Sequence, residues 1–193
     1  MKRIGLLLPL PAFLILCVLL SGCAGPSPAL PQDGSGANPE NITIRVDSLA
    51  PGSTLPVEYT CAGAGISPEI SWTGVPAGTQ SLVLILHDPD APLAGGFTHW
   101  IVYNIPPDSS GIPGNVSPAR ELPGGGLQGL NGRGSAGYVP PCPPAGGSPH
   151  HYVFQVYALD TTIDTTNPNR SAILADIQGH TIGEGQVVLM FGR

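Results

Sequence analysis

The residues with chemistry to offer sit at the ends of apolar runs. The run "SLVLIL" (Ser81–Leu86) leads straight into "HDPDAP" (His87–Pro92), which places Asp88 and Asp90 one residue apart. His99 opens "HWIVYNI", and His150 and His151 open "HHYVFQVYAL". Three strand-like segments thus each bring an ionisable group to one terminus. Imidazole changes charge near neutral pH, and a carboxylate can fix its tautomer, so such a cluster can hold an anion, a metal ion or a proton-shuttling substrate. Taken singly, each residue also has a structural explanation, since Asp before Pro forms turns and a histidine at a strand end often caps or faces water. Two-residue alternation puts His150 on the face of Tyr152 and Phe154 and His151 on that of Val153 and Gln155, so only one of the pair can enter a given site. Asp88 is the expected ligand-side carboxylate, with a histidine N–H bound to it and the far side of that imidazole donating to the ligand. Asp90 is expected to hold the N–H groups of the turn, and His87 to be a bystander.

Other chemistries lack their side chains. The only lysine is Lys2, which excludes Schiff-base catalysis and a P-loop from the rest of the chain. "GGSPH" (Gly146–His150) sets Ser148 near His150, but a nucleophile elbow needs glycine at the fifth position, where His150 stands. Two histidines and an aspartate match a metal facial triad in type, yet no tight ligand spacing supports one, and Cys61 and Cys142 lack the spaced partners of a zinc site. The reading is therefore non-enzymatic, without cofactor or metal, while a metal- or serine-dependent hydrolase stays open as an alternative.

Positioning these groups falls to a single domain. Lys2 and Arg3 precede an apolar run from Ile4 to Leu20 that ends in "LSGC", the pattern of a signal segment over residues 1–22 with a lipid-modified Cys23. An ordinary secretory signal or an uncleaved anchor are the alternatives, and all three place the rest outside the cytoplasm. Residues 23–41 are rich in Pro, Gly, Ser and Asn, cannot bury a core, and read as a flexible tether. Residues 42–193 are the right length for one core. Removing Lys2 and Arg3 from the seven basic residues leaves five arginines against thirteen acidic residues, which makes nucleic acid a poor partner. Cys61 and Cys142, in an oxidising compartment, form one disulfide or stand as two separate thiols. Asn41, Asn115 and Asn169 begin Asn-x-Ser/Thr triplets that accept glycans where the host has the machinery.

The segments "NITIRVDSL", "SLVLILHD", "HWIVYNI", "HYVFQVYAL" and "GQVVLMF" have strand length and β-branched or aromatic content between Pro, Gly and Asp. Only "RSAILADIQG" (Arg170–Gly179) has helical periodicity, with Gly179 as its C-cap. The predicted fold is mainly β: an antiparallel two-sheet sandwich with one or two short helices. The segment from Pro106 to Pro149 is too long for a plain hairpin and is expected to wrap over the sheet, stiffened at "PPCPP".

The strings "SPEISW" (Ser67–Trp72), "DPDAP" (Asp88–Pro92), "HWIVYNIP" (His99–Pro106), "CPP" (Cys142–Pro144) and "HHYVFQVYALD" (His150–Asp160) resemble the phosphatidylethanolamine-binding protein family. They are most similar to its bacterial and archaeal, Raf-kinase-inhibitor-like branch, and the likeness runs from about Ile42 to Phe191. The resemblance implies a β-sandwich with a small pocket for phosphate-like groups: a phospholipid headgroup, a phosphometabolite or a phosphopeptide. Carried over residue by residue, the implied ligand-binding positions are Asp88, Asp90, His99, Tyr138, Pro143, Pro144, His150 and Tyr152. Two departures stand out: mammalian members have glycine where Cys142 stands, and they carry a C-terminal helix that gates the pocket. Here the sequence ends at Arg193, just after a final strand, so a more open pocket is expected. The implied function is a binding protein anchored to the membrane through Cys23. The alternative is a surface-loop inhibitor or docking partner of a protease or kinase.

Overall fold

The computed structural model describes residues 39–193. The expected signal segment, the expected lipidation site Cys23 and the expected tether up to residue 38 lie outside the described residues. In chain order the strands are β1 (Glu40–Asn41), β2 (Thr43–Val46), β3 (Ile70–Thr73), β4 (Ser81–Asp88), β5 (Phe97–Ile105), β6 (Gly111–Ile112), β7 (Leu127–Gln128), β8 (His150–Leu159) and β9 (Thr181–Phe191), with helix α1 (Arg170–Asp176) before the last. A single 3-10 turn, Val57–Tyr59, follows β2. The strands form a six-stranded sheet ordered β1-β9-β8-β4-β5-β7 and a three-stranded sheet ordered β2-β3-β6.

The mainly β, two-sheet architecture is the predicted one, and its pairs are antiparallel except where β1 joins β9 in parallel. That exception moves one boundary. Glu40 and Asn41, read as the end of the tether, are the first strand of the domain, registered on Gly183 and Glu184.

Between the sheets the inward side chains of β4, β5, β8 and β9, among them Leu84, Trp100, Phe154 and Leu189, meet Ile44, Val46, Ile70 and Trp72 of the smaller sheet. Alternation would let the outer face of β4 be polar, yet β4 is buried at all eight positions. A second cluster explains this: Val83, Ile85, Ile101 and Tyr103 lie under Ile163, Ile173 and Ile177, contributed by α1, its C-cap and the segment before it. Continuous apolar sequence is what a strand covered on both faces requires. Asn169 caps α1 by accepting from Ala172 N–H, and Gly179 beyond the helix takes φ +83°, a conformation glycine adopts without strain.

The long segment from Pro106 to Pro149 is ordered rather than structureless. It contributes β6 and β7, and it is pinned by the buried amides of Gln128 and Asn131. Gln128 accepts from Trp100 Nε1 at 2.7 Å, and Asn131 donates to the Gly137 carbonyl at 2.9 Å. A disulfide joins Cys61 to Cys142, with Sγ–Sγ 2.06 Å and Cα–Cα 5.3 Å, and ties this segment to the 3-10 turn region.

Candidate functional site

The last residues of β4 and the first of β5 and β8 share one end of the large sheet, because β4 is antiparallel to both neighbours. Asp88, His99 and His150 meet there. They line a cavity of about 280 Å³ whose wall is the proline-rich stretch Val139–Pro144 and whose rim carries Leu93 and Arg133.

Asp88 is buried and fully engaged. Its Oδ1 accepts from the backbone N–H of Asp90 (2.9 Å) and of Ala91 (3.1 Å), and its Oδ2 accepts from His150 Nδ1–H (2.7 Å). The first pair of bonds closes the turn after β4; the third orients the His150 ring. Asp90 lies outside the cavity and accepts from both the backbone N–H and Nδ1–H of His151, at 2.7 Å each. The expected division of labour between the two aspartates is therefore corrected: Asp88 holds the turn and faces the cavity, while Asp90 fastens β8. The bonds to His151, that from the backbone N–H first, hold the Asp90 carboxyl below the ordinary aspartate value.

His99 reaches the site through an irregularity. Leu86 pairs with Trp100 while His87 pairs with Thr98, so His99 is the extra residue of a β-bulge. Bulges re-aim side chains at sheet ends, and here the imidazole joins Asp88 instead of pointing to the opposite face. His99 Nδ1 lies 2.7 Å from the Val139 carbonyl, which can only accept, so Nδ1 carries the proton and Nε2 faces the cavity, 4.0 Å from Asp88 Oδ2. Burial pushes the pKa of His99 below the ordinary histidine value, outweighing the Val139 carbonyl and the Asp88 charge, which act the other way. The rings of Phe97 and Tyr152 pack edge-on against it, at centroid distances of 4.8 and 5.3 Å.

Tyr152 is wholly buried beside both histidines, and its hydroxyl has no hydrogen-bond partner among the described residues. Burial and the neighbouring Asp88 and Asp90 charges raise its pKa and keep it a phenol, hence a donor. Tyr138 stands apart: its hydroxyl donates to the Tyr59 carbonyl at 2.6 Å and its ring packs on Trp100 within the core. Pro143 and Pro144 do line the cavity, and Arg193 Nε donates to the Pro143 carbonyl at 2.8 Å. Of the eight positions, Asp88, His99, Pro143, Pro144 and His150 line the cavity, Tyr152 packs against its histidines, and Asp90 and Tyr138 stand off it. Ser148 is exposed and makes no side-chain hydrogen bond among the described residues. Among those residues no three of His, Cys, Asp and Glu are arranged to hold a metal ion.

Arg133 and Phe97 were missed from the sequence. Arg133 is one of five arginines in a domain without lysine, a scarcity that could have marked it. Its place is set by Asn131, whose Oδ1 accepts the Arg133 N–H at 2.9 Å. Phe97 is fixed by Gly132, where a Cβ would fall 2.5 Å from the ring, and sequence carries no trace of that contact.

A family profile described as phosphatidylethanolamine-binding protein matches residues 45–192. A UPF0098 protein of Methanothermobacter thermautotrophicus is 46% identical over 140 residues, covering 72% of this chain and 91% of that one. A Mycobacterium tuberculosis protein named as a lipoprotein, LppC, is 37% identical over 165 residues, 79% of each chain. The crystal structure of Escherichia coli YbcL, described as a new member of the mammalian PEBP family, superposes with a TM-score of 0.72 at 31% identity, over 79% of this chain and 98% of that one.

Proposed function

We propose that this chain, which belongs to the phosphatidylethanolamine-binding protein family, is a non-enzymatic binding protein that receives a small phosphoryl-type anion in the cavity between Asp88, His99 and His150. The observation that carries this reading is the convergence of those three groups from adjacent strand ends on one small cavity. Its volume, about 280 Å³, lies near the lower end of small-molecule sites and suits a phosphate or phosphoethanolamine group better than a larger ligand. The Arg133 guanidinium, which lines the cavity, is a donor suited to phosphoryl oxygens. The groups that line the cavity are suited to hydrogen bonding and orientation of an anion. With a lipid on Cys23, the domain would sit at the outer surface of a membrane, where headgroups and released phosphometabolites are at hand; the likeness to LppC supports that placement.

Calorimetric titration of the purified chain in detergent with inorganic phosphate and with phosphoethanolamine tests the proposal. Saturable binding that Asp88→Asn and His150→Ala weaken at least tenfold is the expected outcome. Absence of heat from both ligands, or affinities unmoved by both substitutions, overturns it.

A further inference from the structure

The cavity is short of hydrogen-bond donors. Backbone N–H groups usually supply them to anions, but the wall Pro140–Pro144 contains four prolines and so offers a single amide, that of Cys142. The amides nearest the site are spent: Asp90 and Ala91 on Asp88, Leu93 on the Ala91 carbonyl, and Val139 on the His99 carbonyl. Both histidines use Nδ1–H within the protein, His99 toward Val139 and His150 toward Asp88, so each neutral ring turns an acceptor Nε2 outward. With Asp88, these acceptors face inward, and the donors set against them are the Arg133 guanidinium at the rim and the Cys142 amide.

We propose that this pocket takes up one proton as it binds a phosphoryl anion, and that His99 Nε2 receives it. The inference rests on the anion-binding reading above and adds the protonation state in which the pocket works. Once protonated, His99 Nε2–H donates to the anion and faces Asp88 Oδ2 at 4.0 Å, so the two negative groups are bridged by a cation rather than set against each other. The step is a proton transfer from solvent water or buffer acid to the Nε2 lone pair, with no bond broken in the ligand.

The charged and titratable groups around His99 are accounted for element by element. Asp88 of β4 favours the imidazolium, whereas His87 of β4 and Arg133 of the long segment disfavour it. His150 and Tyr152 of β8 lie against or beside the ring, and Arg193 after β9 acts on Tyr152. Burial is the largest influence and keeps the empty pocket's His99 neutral, so the anion is what draws the proton in.

The test uses the full chain in detergent and two probes of the shared chemistry. Dimethyl phosphate carries one charge throughout the histidine range and stands for a lipid diester; inorganic phosphate stands for a free monoester. Titrating each in buffers of different ionisation heat counts protons directly. For dimethyl phosphate about one proton is taken up per ligand above the His99 pKa, and affinity falls about tenfold per pH unit there. The His99 Nε2 15N shift moves to its imidazolium value on saturation. In His99→Gln the uptake vanishes and the residual affinity becomes independent of pH. If that variant does not fold, the 15N shift in the native chain decides alone. Binding without proton uptake, uptake that persists in His99→Gln, or a His99 shift that stays neutral on saturation overturns this inference and leaves the anion reading standing. Failure of both probes to bind between about pH 5 and 8 overturns the two together.

Discussion

At the scale of the residue, the two aspartates of "HDPDAP" are chemically alike and structurally opposite. Asp88 is buried with three N–H groups on it, whereas Asp90 is half-exposed and serves His151. Asp88→Asn keeps one acceptor oxygen but sets an amide against His150 Nδ1–H; leaving a buried donor unmatched costs about 1–3 kcal/mol, which urea unfolding would register. Asp90→Ala removes an exposed pair worth about 1 kcal/mol or less, so the same assay should show a small change and anion affinity should hold. His99 adds a pH dependence with a definite sign. Its folded pKa is lowered, so the unfolded chain binds the proton more readily, and the stability tied to neutral His99 is present above the unfolded value of about 6.5 and lost as pH falls below it. His87, lowered mainly by burial, acts in the same direction. Unfolding midpoints in urea should therefore fall from about pH 7.5 to 5.5 without ligand, and His99→Gln should flatten part of that slope; an unchanged slope would mean that folding does not shift the His99 pKa.

At the scale of the element, much of the scaffold was legible and the aiming of its side chains was not. Apolar, β-branched runs between turn residues announce strands wherever burial is continuous, which is why β2, β4, β5, β8 and β9 could be read. The short strands β6 and β7 have no such run; they are strands because partners lie beside them. His150 and His151 obey simple alternation, so their opposite fates could be read as well. His99 does not, because a bulge shifts it by one residue, and a bulge is decided by the pairing strand. That Asp88 also holds the turn, and that Asp90 binds His151 instead, was equally hidden, since it depends on the β8 N-terminus lying beside the turn. The proline wall depends on the Cys61–Cys142 bond, which closes a separation of 81 residues. Breaking it with Cys61→Ser and Cys142→Ser should cost roughly 2–5 kcal/mol, measured as a drop in Tm. Because Cys142 itself lines the cavity, phosphate affinity should weaken in the double variant even well below its Tm, and retention of full affinity would show that the wall holds its shape unaided.

At the scale of the whole molecule, an acidic domain that follows a Pro- and Gly-rich N-terminal stretch suits the proposed binding protein held near a surface. Attachment through Cys23 predicts that the native chain fractionates with membranes and that Cys23→Ser appears in the soluble fraction; identical partition of the two would remove lipidation from the account. The order of strands has a further bearing, on how the molecule comes into being. Strand β4 receives β5 from the next stretch of chain but must wait for β8, beyond the whole of the long segment, to gain its second neighbour. High contact order of this kind slows folding to milliseconds or seconds rather than microseconds. Every nascent chain that ends before His150 lacks one wall of the cavity, so the cavity cannot be complete until synthesis has passed the eighth strand.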